Sequence, residues 1–208
     1  MALPEAERSQ EYNLPLSFSA SIVVFAGLPL VGKTTLAQAL AQHSNFVPLD
    51  VEDARYPLGI PRYPQRGTPE EEKETMALAY IRNHKWAQQL LGLHTPVVLS
   101  ATYSRPEYHD QLLALEHTTK KPLVVFQLEA PETVIEQRLK ERQRNGSASN
   151  IQTYEQYRDV KSRYQAITGI DMHYLDTGQP IDDCITKILH ELSNHTQIYS
   201  FVVGNLHE

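Results

Sequence analysis

Residues 27–34 read Gly-Leu-Pro-Leu-Val-Gly-Lys-Thr, which meets every fixed position of the pattern G-x-x-x-x-G-K-[ST]. Those residue types can grip a polyphosphate. Gly27 and Gly32 let the backbone take conformations and approaches that a Cβ would block. The turn through Leu28, Pro29, Leu30 and Val31 is expected to aim main-chain N–H groups inward at an anion, with the positive end of a helix dipole behind it. Lys33 supplies a mobile ammonium for the β- and γ-phosphates. Thr34 offers a hydroxyl to Mg²⁺, which carries charge between the phosphates. Thr35 follows directly and joins the nucleotide-binding set. A nucleoside triphosphate with Mg²⁺ is therefore the expected ligand.

Such a loop works only between a strand and a helix, and its flanks read that way. Ile22, Val23, Val24 and Phe25 form a short apolar run suited to a buried strand. Leu36, Ala37, Leu40 and Ala41 recur at helical spacing after Thr35. Further strands are expected over 45–50, 96–100, 122–128 and 173–176. Helices are expected over 69–91, 106–115, 131–144, 154–167 and 181–193. Thr68 and Pro69 mark the start of the first of these, and Gly92 with Pro96 its end. Trp86 within it is read as core packing. Residues 57–69 hold four prolines, at 57, 61, 64 and 69, and two arginines, Arg62 and Arg66. A loop of that length in a compact domain is often functional. Residues 198–203 form a short β-prone run near the C-terminus. Strands separated by helices predict a parallel sheet with right-handed crossovers, and ligands outside the strand C-termini.

The whole chain narrows the class. It has 208 residues, a hydrophobic fraction of 41% and a charged fraction of 21%, values typical of a globular domain. No apolar run approaches a membrane span, and the N-terminus lacks the apolar core of a secretory signal. Cys184 is the single cysteine, so no internal disulfide forms and a cytoplasmic location is expected. A net charge of −6 argues against a general nucleic-acid coat, though not against a local basic site. The nine histidines show no metal-ligand spacing.

In this order the motifs GLPLVGKT, LDVEDARYPL, VVLSATYSRPEYHDQL, LEAPETVIEQRLKERQ and YLDTGQP resemble the P-loop kinases. The similarity is to the ATP-binding group that includes bacteriophage polynucleotide 5′-hydroxyl kinase, zeta-toxin-like kinases and adenylylsulfate kinase. It implies an α/β P-loop NTPase fold: a parallel sheet of about five strands, helices on both faces and a helical lid. The chain divides accordingly into an arm (1–20), a kinase domain (21–194) and a tail (195–208). The activity implied is transfer of the γ-phosphate of ATP to a hydroxyl of a small molecule or of a nucleic-acid end.

The resemblance also assigns roles. Adenylylsulfate kinases read LDGDNVR where this chain reads LDVEDAR at 49–55. That places Glu52 as the base and Arg55 against the acceptor, with Asp53 and Asp50 as rivals for the base. Asp50 is also a candidate metal ligand beside Thr34. A helix N-cap cluster explains Asp50 and Asp53 equally well. Arg138 and Arg142 share one helix face and are similar to lid arginines that touch ATP and stabilise the transferring phosphoryl group alongside Lys33; charge pairing with Glu136 or Glu141 is the plainer account. Thr177 to Pro180 resembles the loop that lies near the adenine in such folds. Arg55, Thr102 and Arg105 should face an acceptor that is anionic, with Tyr56, Tyr63 or Tyr103 stacking on it.

One departure bears on activity. Relatives carry an aspartate at the end of the third motif strand, in a pattern like SDTN or DATN, where this chain has Ser100-Ala101-Thr102, with Ala101 in place of the usual aspartate. Ser100 holding a metal-bound water, or Asp50 substituting from the neighbouring strand, would restore the function. Otherwise the chain binds nucleotide, or hydrolyses it for a partner, without phosphorylating an acceptor.

Overall fold

The computed structural model describes residues 21–55, 57, 69–145 and 151–204. The N-terminal arm, Tyr56, Tyr63, Arg62, Arg66 and the Thr68 cap lie outside the described residues.

Five strands form one parallel sheet in the order β2-β3-β1-β4-β5. They are β1 (Ile22–Ala26), β2 (Val47–Asp50), β3 (Val97–Ser100), β4 (Leu123–Glu129) and β5 (Met172–Asp176). The three central strands are almost wholly buried, whereas the edge strands β2 and β5 are partly exposed. Burial on both faces explains why β1, β3 and β4 read as continuous apolar runs.

Alternation along the strands sorts the core into two layers. Val23, Phe25, Val98, Val124 and Phe126 pack with helices α1 (Lys33–His43), α5 (Glu132–Arg144), α6 (Tyr154–Ser162) and α7 (Ile181–Gly204). Ile22, Val24, Ala26, Leu99, Ala101 and Val125 pack on the opposite face with α2 (Val51–Arg55), α3 (Pro69–Gly92) and α4 (Pro106–Thr119). Trp86 packs against that second layer, with the Arg82 guanidinium 5.1 Å from its ring centre.

Three elements differ from the sequence expectation, each for a visible reason. Residues 51–55, assigned no element beyond the N-cap reading of the acidic cluster, form the short helix α2, whose first turn carries Glu52 and Asp53. Helix α6 stops at Ser162 rather than near 167. Tyr157 on α6 is buried in the first core layer, but Ile167 is buried in the second. The chain must therefore cross from one face of the sheet to the other, which a continued helix could not do. Gln165 N donates to Ser104 O at 3.3 Å and Tyr164 Oη to Gln127 Oε1 at 2.8 Å along that crossing. The β-prone residues 198–203 are helical, because α7 continues through Gly204; weak β propensity yields to an established helix.

Gly27 closes β1 in a conformation only glycine adopts easily, at φ 139°. A Cβ there would lie 2.4 Å from the main-chain oxygen of Leu128. That neighbour belongs to a central strand and cannot yield. Gly27→Ala should destabilise the protein by roughly 2–3 kcal/mol; urea unfolding of the two proteins measures it.

Candidate functional site

The glycine-rich loop sits at the carboxyl end of β1, above the first core layer. Leu30 and Val31 are buried there, so they serve the loop through their main chain while their side chains anchor it. Leu30 has φ 71° and Gly32 φ 91°, left-handed bends that turn successive amides toward one side. Gly32 caps α1 without a side-chain hydrogen bond, and the first turn of α1 has no acidic residue. The positive pole of α1 is thus left for an external anion. Lys33 lies along the loop, with Nζ donating to Gly27 O at 2.9 Å and Leu28 O at 2.7 Å. Burial, more than any neighbouring charge, lowers its pKa to about 8.

Asp50, the last residue of β2, ties three elements together. Its Oδ2 accepts from Thr34 Oγ1 at 2.6 Å, and its Oδ1 accepts from Glu52 N at 2.9 Å. One carboxylate therefore joins α1 to β2 and also caps α2, the N-cap role that the acidic cluster offered. Glu52 pairs with Arg55 three residues on, at 3.0 Å. Arg55 is 4% exposed while Glu52 is 39% exposed. The guanidinium fixes the carboxylate from beneath and leaves part of it facing solvent. Asp53 points outward on α2.

An all-oxygen set of hydroxyl and carboxylate suits a hard divalent cation that keeps several waters and takes phosphate oxygens. Thr34 and Asp50 provide that set. Among the described residues, no group of three or more His, Cys, Asp or Glu side chains could hold a metal unaided. The arrangement fits Mg²⁺ brought in with a nucleotide.

The lid helix α5 closes the other side. Arg138 Nη1 donates to Leu30 O at 3.0 Å and to Thr177 Oγ1 at 3.1 Å, and Nη2 donates to Thr177 O at 2.6 Å. Thr177 is held in turn by its N–H and hydroxyl on Glu129 O, at 2.8 and 3.0 Å. Arg138 thus joins the phosphate loop to the turn after β5. Arg142, one turn further along α5, lines the same cavity of about 320 Å³. Burial lowers the pKa of both guanidinium groups, and Arg138 adds to the effect on Arg142. Thr35 and Thr177 line this cavity too, with Leu36 and Ile181 as apolar walls and Asn145 and Gln179 as amide edges. That mixture suits a flat heteroaromatic ring.

The loop after β3 is pinned rather than open. Gly27 N donates to Thr102 O at 3.4 Å. Tyr103, at φ 47°, has its N–H on Tyr80 Oη at 3.0 Å and its carbonyl oxygen 2.8 Å from His109 Nε2. Its hydroxyl lies 3.0 Å from His84 Nε2. Tyr103 is fully buried, so the expected stacking on an acceptor does not apply to it. Arg105 stands at the N-cap of α4 without capping it through its side chain.

A family model described as an AAA domain matches residues 22–167. The chain belongs to that family. No curated protein matches the sequence. Among solved structures it is similar to a sugar kinase from Janibacter, at 18% identity and TM-score 0.62 over 82% of this chain and 93% of that one. A gluconokinase from Sinorhizobium meliloti gives 19% and 0.61 over 89% and 98%. The Mycobacterium tuberculosis APS kinase, in complex with AMPPNP and APS, gives 18% and 0.52 over 83% and 96%. The fold is that of the P-loop kinases.

In this AAA domain Lys33, Thr34, Asp50, Glu52 and Arg55 gather at one end of the sheet, and Arg138, Arg142 and Thr177 enclose the neighbouring cavity. Sequence reasoning did not single out Asn145, Ile181 or Cys184 as cavity residues, whereas Gln179 belongs to the loop 177–180 expected beside the adenine. Spacing alone carries no sign that the start of α7 turns toward α1. The site also makes a prediction about protons. With a pKa near 8, Lys33 is partly deprotonated at pH 8.5, and a bound polyphosphate recharges it. Calorimetry of ADP binding in buffers of differing ionisation enthalpy should show proton uptake that grows from pH 7 to pH 9. Lys33→Arg should remove the uptake.

Proposed function

We propose that this protein is an ATP-dependent kinase that transfers the γ-phosphate to a hydroxyl of a small molecule. The observation that carries the reading is Asp50. Its carboxylate holds the Thr34 hydroxyl at 2.6 Å and caps the helix that presents Glu52. Phosphate grip and base are thus fixed to one another through a single side chain, as in-line transfer demands. The kinases named above share the fold, and one of them was captured with a nucleotide analogue and APS. Within that fold, the LDVEDAR stretch favours the adenylylsulfate-kinase-like group over the polynucleotide kinases, and the net charge of −6 favours a small acceptor over a nucleic-acid end.

The chain's own groups divide the work. The loop amides of residues 27–34, the positive pole of α1 and Lys33 bind the phosphates. The adenine enters the cavity between Leu36 and Ile181, beside Thr177. Thr34 and Asp50 hold Mg²⁺, which when bound offsets charge on the β- and γ-phosphates. Glu52, oriented by Arg55, accepts the proton of the acceptor hydroxyl as its oxygen bonds to the γ-phosphorus and the bridging oxygen departs with ADP. Arg142 lies over the phosphates and offsets charge on the group in flight. Arg138 steadies the loop against the base-binding turn. Arg105 and Thr102 face the acceptor.

A second reading has a specific observation behind it: no carboxylate ends β3, and Glu52 is engaged by Arg55. Under that reading the protein binds ATP without phosphorylating an acceptor. A panel of hydroxyl compounds with ATP and Mg²⁺, read by ADP release and product mass together, separates the two. Lys33→Ala should abolish turnover. Glu52→Gln should lower kcat by about 10²–10⁴-fold while leaving ATP affinity within a factor of about two. A Glu52→Gln enzyme with unaltered kcat would remove Glu52 from the mechanism.

A further inference from the structure

The carboxyl end of β3 holds a buried hydroxyl that the scheme above does not use. Ser100 is 1% exposed, and among the described residues its Oγ has no hydrogen-bond partner. Buried hydroxyls are normally satisfied, so an orphan of this kind needs a cause. Its direction follows from register. Ser100 pairs with Asp50 on β2 and with Phe25 on β1, and residues paired across parallel strands project from the same face. Phe25 and Val98 lie in the core layer beneath α1, whereas Leu99 and Ala101 lie in the opposite layer. Ser100 therefore projects on the α1 side, next to the carboxylate that holds Thr34. Ala101 projects away, so the relevant position in Ser100-Ala101-Thr102 is the serine.

We propose that the Ser100 hydroxyl anchors the water shell of the divalent cation held by Thr34 and Asp50. The proposal rests on the nucleotide-binding reading of the loop. A metal-bound water is a strong hydrogen-bond donor, and a serine oxygen has lone pairs to accept it. Mg²⁺ and Mn²⁺ in nucleotide sites hold several waters, so an anchor for water is as apt as a direct ligand. The site then commits one carboxylate to the cation, since Glu52 is drawn to Arg55, and uses a neutral oxygen where a second acid would add charge. Ser100 is a positioning residue here: it acts on the cation through water.

The test uses Mn²⁺ as probe with the full chain. Electron paramagnetic resonance measures Mn²⁺ affinity at saturating ADP, and calorimetry measures ADP affinity in EDTA. Ser100→Ala should weaken Mn²⁺ binding about tenfold, leave ADP affinity in EDTA unchanged, and raise the Tm of the metal-free protein by removing the orphan hydroxyl. Ser100→Asp should bind Mn²⁺ more tightly than wild type while its metal-free Tm falls. Unchanged Mn²⁺ affinity in Ser100→Ala, or weakened Mn²⁺ affinity in a Ser100→Asp protein that still binds ADP in EDTA, overturns the proposal. Wild-type protein that bound no ADP with or without Mn²⁺ would instead overturn the nucleotide reading on which it stands.

Discussion

The structure depends on a helix pole that the helix's own residues leave uncapped. Helix α1 starts at a left-handed glycine, with no capping side chain and no acid in its first turn. By contrast, α2 carries Glu52 and Asp53 in its first turn, and α6 has a full capping box from Thr153 and Gln156. Leaving one helix start without such partners is unfavourable unless an anion takes their place. The loop is nevertheless held in shape. Gly27 is wedged against the Leu128 carbonyl, Leu30 and Val31 are buried in the core, and Arg138 holds the Leu30 oxygen. The bonds from Lys33 to Gly27 O and Leu28 O satisfy the ammonium on the loop itself, so an incoming phosphate competes with two main-chain carbonyls.

Everything else at the site is placed by the alternation of a parallel sheet. Asp50 and Ser100 project on the α1 side because both share the face of Phe25. The residues one step along, Val51 and Ala101, serve the other core. On that far face the aromatic residues of α3 and α4 hold the loop after β3. Tyr80 stacks on Tyr108 with ring centres 3.7 Å apart, and its hydroxyl accepts the Tyr103 amide. His84, whose pKa burial lowers to about 4, meets the Tyr103 hydroxyl as a neutral ring. These contacts support a left-handed residue that would otherwise be strained. Through the Thr102 carbonyl they also reach Gly27, so the loop after β3 and the glycine-rich loop share one framework.

Much of this was legible without coordinates. The glycine-rich loop was readable because local order carries its chemistry: strand, two glycines, lysine, hydroxyl, helix. The central strands were readable because burial on both faces demands unbroken apolar runs. The number of strands and their parallel pairing followed from the alternation with helices. Arg138 and Thr177 were each named for one ligand, but their bond to one another came only with the fold.

What the tertiary structure alone decided concerns direction and partnership. LDVEDAR contains three acids, and no spacing rule says that Asp50 would both hold Thr34 and cap α2 while Glu52 turned to Arg55; those choices depend on β2 lying across β3 from β1. Ser100 and Ala101 are adjacent in the chain, yet they project from opposite faces of the sheet, so which of them lies on the α1 side is a matter of register. Tyr103 looked free to stack on a ligand because a loop tyrosine is usually exposed, and only the packing of α3 on α4 buried it. The sequence by itself determined the glycine-rich loop and its flanking strand and helix, which form a grip suited to phosphate, because these depend on neighbours along the chain. The fold decided what stands around the grip, because those partners come from strands and helices far apart in sequence.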